Sequence, residues 1–200
     1  SLTQLPNRSL LHAEAEHALR EAESNVTTLA VLFLDLDRFK QINDSFGHPE
    51  GDRFLKAIAS RIQNKCTNGD ICGRLSGDEF VIVVKNKAPE CLNNFIEELK
   101  LSISSTYETE LFKITPSASI GISVYPNDGH DIGTLIHRAD MAMYQAKTAG
   151  KGRFSFFSHE LNQLAQERQE LEIELQKAID ENQLELVYQP QINMGSGTLY

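Results

Sequence analysis

Thr27-Thr28-Leu29-Ala30-Val31-Leu32-Phe33-Leu34-Asp35-Leu36 and, further on, Ile71-Cys72-Gly73-Arg74-Leu75-Ser76-Gly77-Asp78-Glu79-Phe80-Val81-Ile82-Val83-Val84 decide the fold. The first stretch is β-rich and almost continuously apolar, with no alternation of polar residues. That pattern predicts a central strand covered on both faces. In the second, two short apolar runs flank the turn composition Ser76-Gly77-Asp78-Glu79, which predicts a β-hairpin.

The flanking segments are helical in pattern. Leu10, Leu11, Ala15, Ala18 and Leu19 follow Pro6 with the period of an amphipathic helix, Pro standing near its first turn. Phe39, Ile42 and Phe46 mark a short helix ending at Gly47, and Pro49 opens a longer one through Phe54, Leu55, Ile58 and Ile62. Residues 89–104 form another helix. Residues 112–125 contain a strand interrupted by Pro116, and 131–149 a helix ended by Gly150 and Gly152. Residues 154–157 read as a short last strand. Strands alternating with helices, with one tight hairpin, predict an α/β layer of helices on a mixed sheet.

After Ser158 the character changes. Residues 159–183 are strongly charged and carry leucines at helical spacing, and a new strand starts at Leu184. The expected division is a domain over 1–158, a linker helix over 159–183, and the beginning of a second domain over 184–200.

The chain has 200 residues, 40% apolar and 24% charged, with a net charge of −9. An acidic surface repels phosphate backbones, which disfavours a long nucleic-acid footprint. The longest apolar run, Leu29–Leu34, falls far short of the ~20 residues that cross a bilayer. No signal-peptide pattern opens the sequence. The expectation is a soluble, cytoplasmic piece without membrane contact, whatever the rest of a parent chain carries. Cys66, Cys72 and Cys91 have neither CxxC nor zinc-ligand spacing and are expected to be reduced and mostly buried.

The chemistry concentrates on acids that sequence separates and the expected fold could join. Asp35 and Asp37 end the buried strand, while Asp78 and Glu79 sit at the hairpin tip. Hard divalent cations take one or two carboxylates and complete their shell with phosphate oxygens. Strand-end and turn acids are also common for purely conformational reasons. A calcium loop starting at Asp35 fails, because Phe39 and Lys40 stand where it needs a ligand and a glycine. On residues alone, Asn43 reads equally as a helix C-cap and Asp52 as a first-turn acid favoured by the helix dipole.

Ser76-Gly77-Asp78-Glu79-Phe80 resembles the signature of the GGDEF family of diguanylate cyclases. Supporting motifs follow in the family's order: Leu2-Thr3-Gln4-Leu5-Pro6-Asn7-Arg8, then Asp35-Leu36-Asp37-Arg38-Phe39-Lys40 and Ile42-Asn43-Asp44. Phe46-Gly47-His48 with Gly51-Asp52, Ser119-Ile120-Gly121-Ile122-Ser123 and residues 139–147 complete the series. The resemblance covers about residues 2–157. It implies a ferredoxin-like βαββαβ core of the palm type that catalyses condensation of two GTP into cyclic di-GMP and pyrophosphate. It also implies a Mg²⁺ or Mn²⁺ cofactor held by Asp35, the Leu36 carbonyl, Asp78 and Glu79. Which of Asp78 and Glu79 acts as the base stays open. Asn43 and Asp52 would read guanine, with His48 and Phe39 lining the same site. Backbone N–H groups after Asp37, with Lys40, Lys147 and Lys151, would take the phosphates. Each domain would hold one GTP, so two must meet in a transient homodimer.

Three departures stand out. Ser76 replaces the first glycine of the signature, a cost if that position needs positive φ. Lys151 stands where the family often has Arg, a point charge in place of a fork. Thr67 occupies the arginine position of the product-inhibition motif that ends at Asp70, so cyclic di-GMP should inhibit weakly or not at all. Leu184-Glu185-Leu186-Val187-Tyr188-Gln189-Pro190-Gln191 resembles the opening of an EAL phosphodiesterase domain. An EAL neighbour and Ser76 also fit a second reading, a GTP-binding module that regulates that neighbour without turnover.

Overall fold

The computed structural model describes residues 2–187 apart from 68, 111, 182 and 186. The chain divides into two compact units, 1–162 and 163–200. In the first, helix α1 (Arg8–Ser24) precedes strand β1 (Leu29–Leu36), helices α2 (Phe39–Phe46) and α3 (His48–Lys65), and the hairpin of β2 (Ile71–Ser76) and β3 (Glu79–Lys85). Helix α4 (Pro89–Ile103), the short strands β4 (Tyr107–Glu108) and β5 (Lys113–Ile114), strand β6 (Ala118–Tyr125), helix α5 (Ile132–Thr148) and strand β7 (Phe154–Phe156) complete it. Helix α6 (His159–Asp180) begins there and continues into the second unit.

The main sheet runs β2-β3-β1-β6-β7. Its first four strands are antiparallel in the order of a ferredoxin-like βαββαβ core, and β7 adds parallel to β6. Strand β1 is central and all eight of its residues are buried. Because side chains alternate, β1 feeds two cores. Leu32, Leu34 and Leu36 join Phe80, Ile82 and the apolar faces of α3 and α4. Leu29, Val31 and Phe33 join Val81, Val83 and the faces of α1 and α5. Asp35 continues the second register, so it belongs to the α1/α5 side.

Helix α5 presses on β6 at Gly121. A Cβ there would lie 2.8 Å from the Ala142 carbonyl carbon and closer still to the Ala139 oxygen, so only glycine permits this approach. Asp131 caps α5 by accepting from Thr134 N–H at 2.8 Å.

Several expectations need correcting. Pro6 lies outside α1, whose cap is Asn7 accepting from Leu10 N–H at 3.1 Å. Cys66 and Cys72 are only half-buried and Cys91 is exposed; all three are free thiols. Cys91 lies on α4 outside the stripe that packs on the core. Leu184, Glu185 and Val187 carry no strand, and the remainder of the EAL-like stretch lies outside the described residues. No described helix is long and apolar enough to cross a membrane.

Candidate active site

Pairing of β1 with β3 places Asp35 directly opposite Glu79. The two side chains therefore project from the same face of the sheet, toward α5. Leu36 N–H donates to the Asp78 carbonyl at 3.3 Å, which clamps the strand end to the hairpin turn. Asp35, Leu36, Asp78 and Glu79 are thus drawn to one corner of the sheet. A bulge between Arg74 and Ser76 reshapes the hairpin there, and Arg74 Nε donates to the Gly77 carbonyl at 2.8 Å. The positive φ falls on Gly77, at 44°, and not on Ser76. Serine is therefore tolerated at 76 without backbone strain. Its hydroxyl instead donates to Glu79 Oε2 at 2.6 Å.

Electrostatics single out Asp35. It is 8% exposed. Burial pushes its carboxyl above the ordinary range, the Lys147 hydrogen bond pulls back, and the charges of Asp78 and Asp37 push up again. Lys147 Nζ stands 2.7 Å from Asp35 Oδ2. Asp140 on α5 is likewise raised, first by burial and then by Glu79. Glu79 and Asp140 share a cleft of about 430 Å³ with Arg8, His12 and His137.

This corner fits a hard divalent cation. Its donors are oxygens, two acids crowd a desolvated third, and an ammonium already sits against that third. Among the described residues no cluster of three His, Cys, Asp or Glu side chains would ligate a metal alone. Substrate phosphate oxygens would have to complete the shell, which is the usual arrangement for Mg²⁺.

Asp37 has another task. Its carboxylate accepts from Ser117 Oγ at 2.7 Å, Ser119 Oγ at 2.8 Å and Gly152 N–H at 3.0 Å. It ties β1, β6 and the turn before β7 together. Lys151 rides on that turn and lines, with Arg38, a cleft of about 600 Å³ beside α2. Lys40 is exposed on the first turn of α2, which opens at Arg38 with φ 63°.

Asn43 and Asp52 lie on α2 and α3. Gly47, with φ 83°, ends α2 and takes its N–H to the Asn43 carbonyl at 2.9 Å, so Gly47 and not Asn43 is the C-cap. Helix α3 starts at His48 and its first-turn acid is Glu50, which moves Asp52 beyond that turn. The conformational alternatives for Asn43 and Asp52 thereby lose their basis. Phe39 is buried and stacks on Phe54, with centroids 6.1 Å apart. His48 and Asp52 are exposed.

Residues 1–153 match the family described as diguanylate cyclase, GGDEF domain, and the chain belongs to it. The chain is 40% identical over 199 residues to the bifunctional diguanylate cyclase/cyclic di-GMP phosphodiesterase MucR of Pseudomonas aeruginosa, covering all of this chain and 29% of that protein. It is 34% identical to the cyclic di-GMP phosphodiesterase PdeR of Escherichia coli, covering 96% of this chain and 29% of the relative. The chain thus spans less than a third of the length of these relatives. Among solved structures, the GGDEF domain of TpbB from Pseudomonas aeruginosa superposes with TM-score 0.79 at 36% identity, over 83% of this chain and 98% of that one. The GGDEF domain of DgcB from Caulobacter crescentus, solved with c-di-GMP, gives 0.72 at 28% identity over 78% and 93%.

Proposed function

We propose that this domain condenses two GTP into cyclic di-GMP with release of pyrophosphate, at the face between two copies of the domain. The observation that carries this reading is the desolvated Asp35 set opposite Glu79 and beside Asp78, with a lysine as its counter-ion. A divalent cation, when bound, would neutralise the triphosphate and ease ionisation of the attacking hydroxyl. Asp35, the Leu36 carbonyl, Asp78 and Glu79 are the groups that would hold it.

The chain's own residues do the rest. Lys147, released from Asp35 by a competing cation, would meet phosphate oxygens, with Lys40 and Lys151 adding point charges to the same triphosphate. Such stabilisation of charge growing on the α-phosphate is usually the largest catalytic contribution. Glu79 is the acid best placed to take the ribose 3′-hydroxyl proton, since its carboxylate faces the site and the Ser76 hydroxyl orients it. Asn43 and Asp52 would select guanine, whose ring N–H and amino group form a donor pair that adenine lacks. One domain presents one GTP, so the reaction needs a second copy face to face.

One observation favours a second reading: relatives such as PdeR are named as cyclic di-GMP phosphodiesterases. In that reading the domain binds GTP and regulates an attached EAL domain. Incubating the 200-residue chain with GTP and Mg²⁺ or Mn²⁺ decides between them. Cyclic di-GMP should appear with a rate that rises as the square of protein concentration when the chain is dilute. GTP binding without product at any protein concentration would establish the regulatory reading instead.

A further inference from the structure

Gly51 is a helical residue with no turn to make. It lies inside α3, its N–H donates to the Gly47 carbonyl at 3.2 Å, and its φ is not positive. Glycine is the poorest helix former after proline, so its presence there needs a cause. The cause lies on α2. A Cβ at position 51 would stand 3.0 Å from Asn43 Cγ, nearer still to the Asn43 amide oxygen, and 3.4 Å from Phe39 Cζ. The Asn43 amide therefore directs its oxygen onto the bare backbone of Gly51, into the space a side chain would fill. Among the described residues no hydrogen bond fastens that amide. Its orientation is set by shape.

We infer that Gly51 is a positioning residue for base selection. Its missing side chain lets α2 and α3 close far enough for the Asn43 amide and the Asp52 carboxylate, one residue beyond Gly51, to face a single purine edge. This inference rests on the reading of Asn43 and Asp52 as guanine contacts. Any Cβ at 51 turns the Asn43 amide away while leaving the phosphate-binding groups untouched. The loss therefore falls on discrimination between bases and spares general nucleotide affinity. A site built around hydrogen bonds to one base loses its preference steeply when a single partner is misplaced.

The test is calorimetric binding of a non-hydrolysable GTP analogue and its ATP counterpart, with Mg²⁺, to the 200-residue chain and to Gly51→Ala, Asn43→Ala and the double variant. Gly51→Ala should weaken the GTP analogue about tenfold and leave the ATP analogue within about twofold. Because alanine favours helix, the thermal midpoint should not fall in parallel. In the Asn43→Ala background, adding Gly51→Ala should change the GTP/ATP ratio less than twofold. If Gly51→Ala fails to fold, the double variant, which lacks the colliding amide, should recover the fold; failure of both overturns the inference. A Gly51→Ala chain that keeps the wild-type ratio while Asn43→Ala loses it removes the positioning role alone. An Asn43→Ala chain that keeps the ratio removes the base-reading assignment and this inference with it.

Discussion

The hairpin β2–β3 has an acid near each of its ends, and the fold treats the two ends in opposite ways. At the root, Asp70 has a side chain only 3% exposed and fully engaged. It accepts from Thr67 N–H at 2.9 Å, Thr67 Oγ1 at 2.7 Å and Lys85 N–H at 3.3 Å, with Lys87 Nζ at 3.8 Å. At the tip, Asp78 and Glu79 crowd Asp35, which pairs with the Lys147 ammonium and whose proton affinity rises on burial. A carboxylate surrounded by donors is a finished structural part. Carboxylates crowded together around one desolvated member, with a lysine as counter-ion, suit a hard cation instead. Under the proposed function, the difference separates an acid that shapes the domain from acids that act on substrate.

The largest effect should fall on the tip. Glu79→Ala is expected to lower turnover by about a thousandfold or more while GTP affinity stays within a fewfold, measured by product formation and calorimetry in parallel. A parallel collapse of binding would assign Glu79 to holding substrate. At the root the sign of the experiment reverses. Asp70→Ala should strand the Thr67 and Lys85 N–H groups and cost about 2–3 kcal/mol in denaturant unfolding, with turnover per folded molecule unchanged. A catalytic defect there, at unchanged stability, would erase the contrast between the two ends.

A third measurement uses the product. With Thr67 in place of a guanidinium and Asp70 already saturated, micromolar cyclic di-GMP should give no heat of binding at the root once the active site is blocked. Micromolar binding would show that another cation, Lys87 being nearest, replaces the missing fork. The smallest expected effect concerns pH. Asp140 and Asp35 take up protons more readily in the folded chain than in the unfolded one. The folded state therefore binds more protons between the ordinary carboxylate pKa and the raised one, and stability should fall as pH rises through that window. Asp140→Asn removes one such group, so its thermal midpoint should lie slightly above wild type at neutral pH and vary less across the mildly acidic range. A midpoint lowered by the substitution would show that the Asp140 charge is used in the folded state.

Much of this was legible in the residues. The unbroken apolar run of β1 suits a strand covered on both faces, and the Gly77 turn between two short strand-like runs suits a hairpin. Those two facts bring Asp35 and Glu79 to one corner. What escaped depends on distances between elements. Nothing in the spacing of Asp37 separates it from Asp35, yet one is bound by three donors and the other is not. The half-burial of Cys66 and Cys72 reflects a loop that brings the end of α3 back to β2. Strand β4 is two residues long and leaves no periodic signal. Helix α2 stops at Gly47 because the glycine turns left-handed there, which moves the cap away from Asn43.

The three donors on Asp37 have a consequence for how variants are read. Because that carboxylate fastens Gly152, it fixes the place from which Lys151 reaches out. Removing it would shift a cation by the slack of a whole turn without touching any nucleotide. In a screen such a change would look like a damaged substrate contact, although the lost part is the tether behind it.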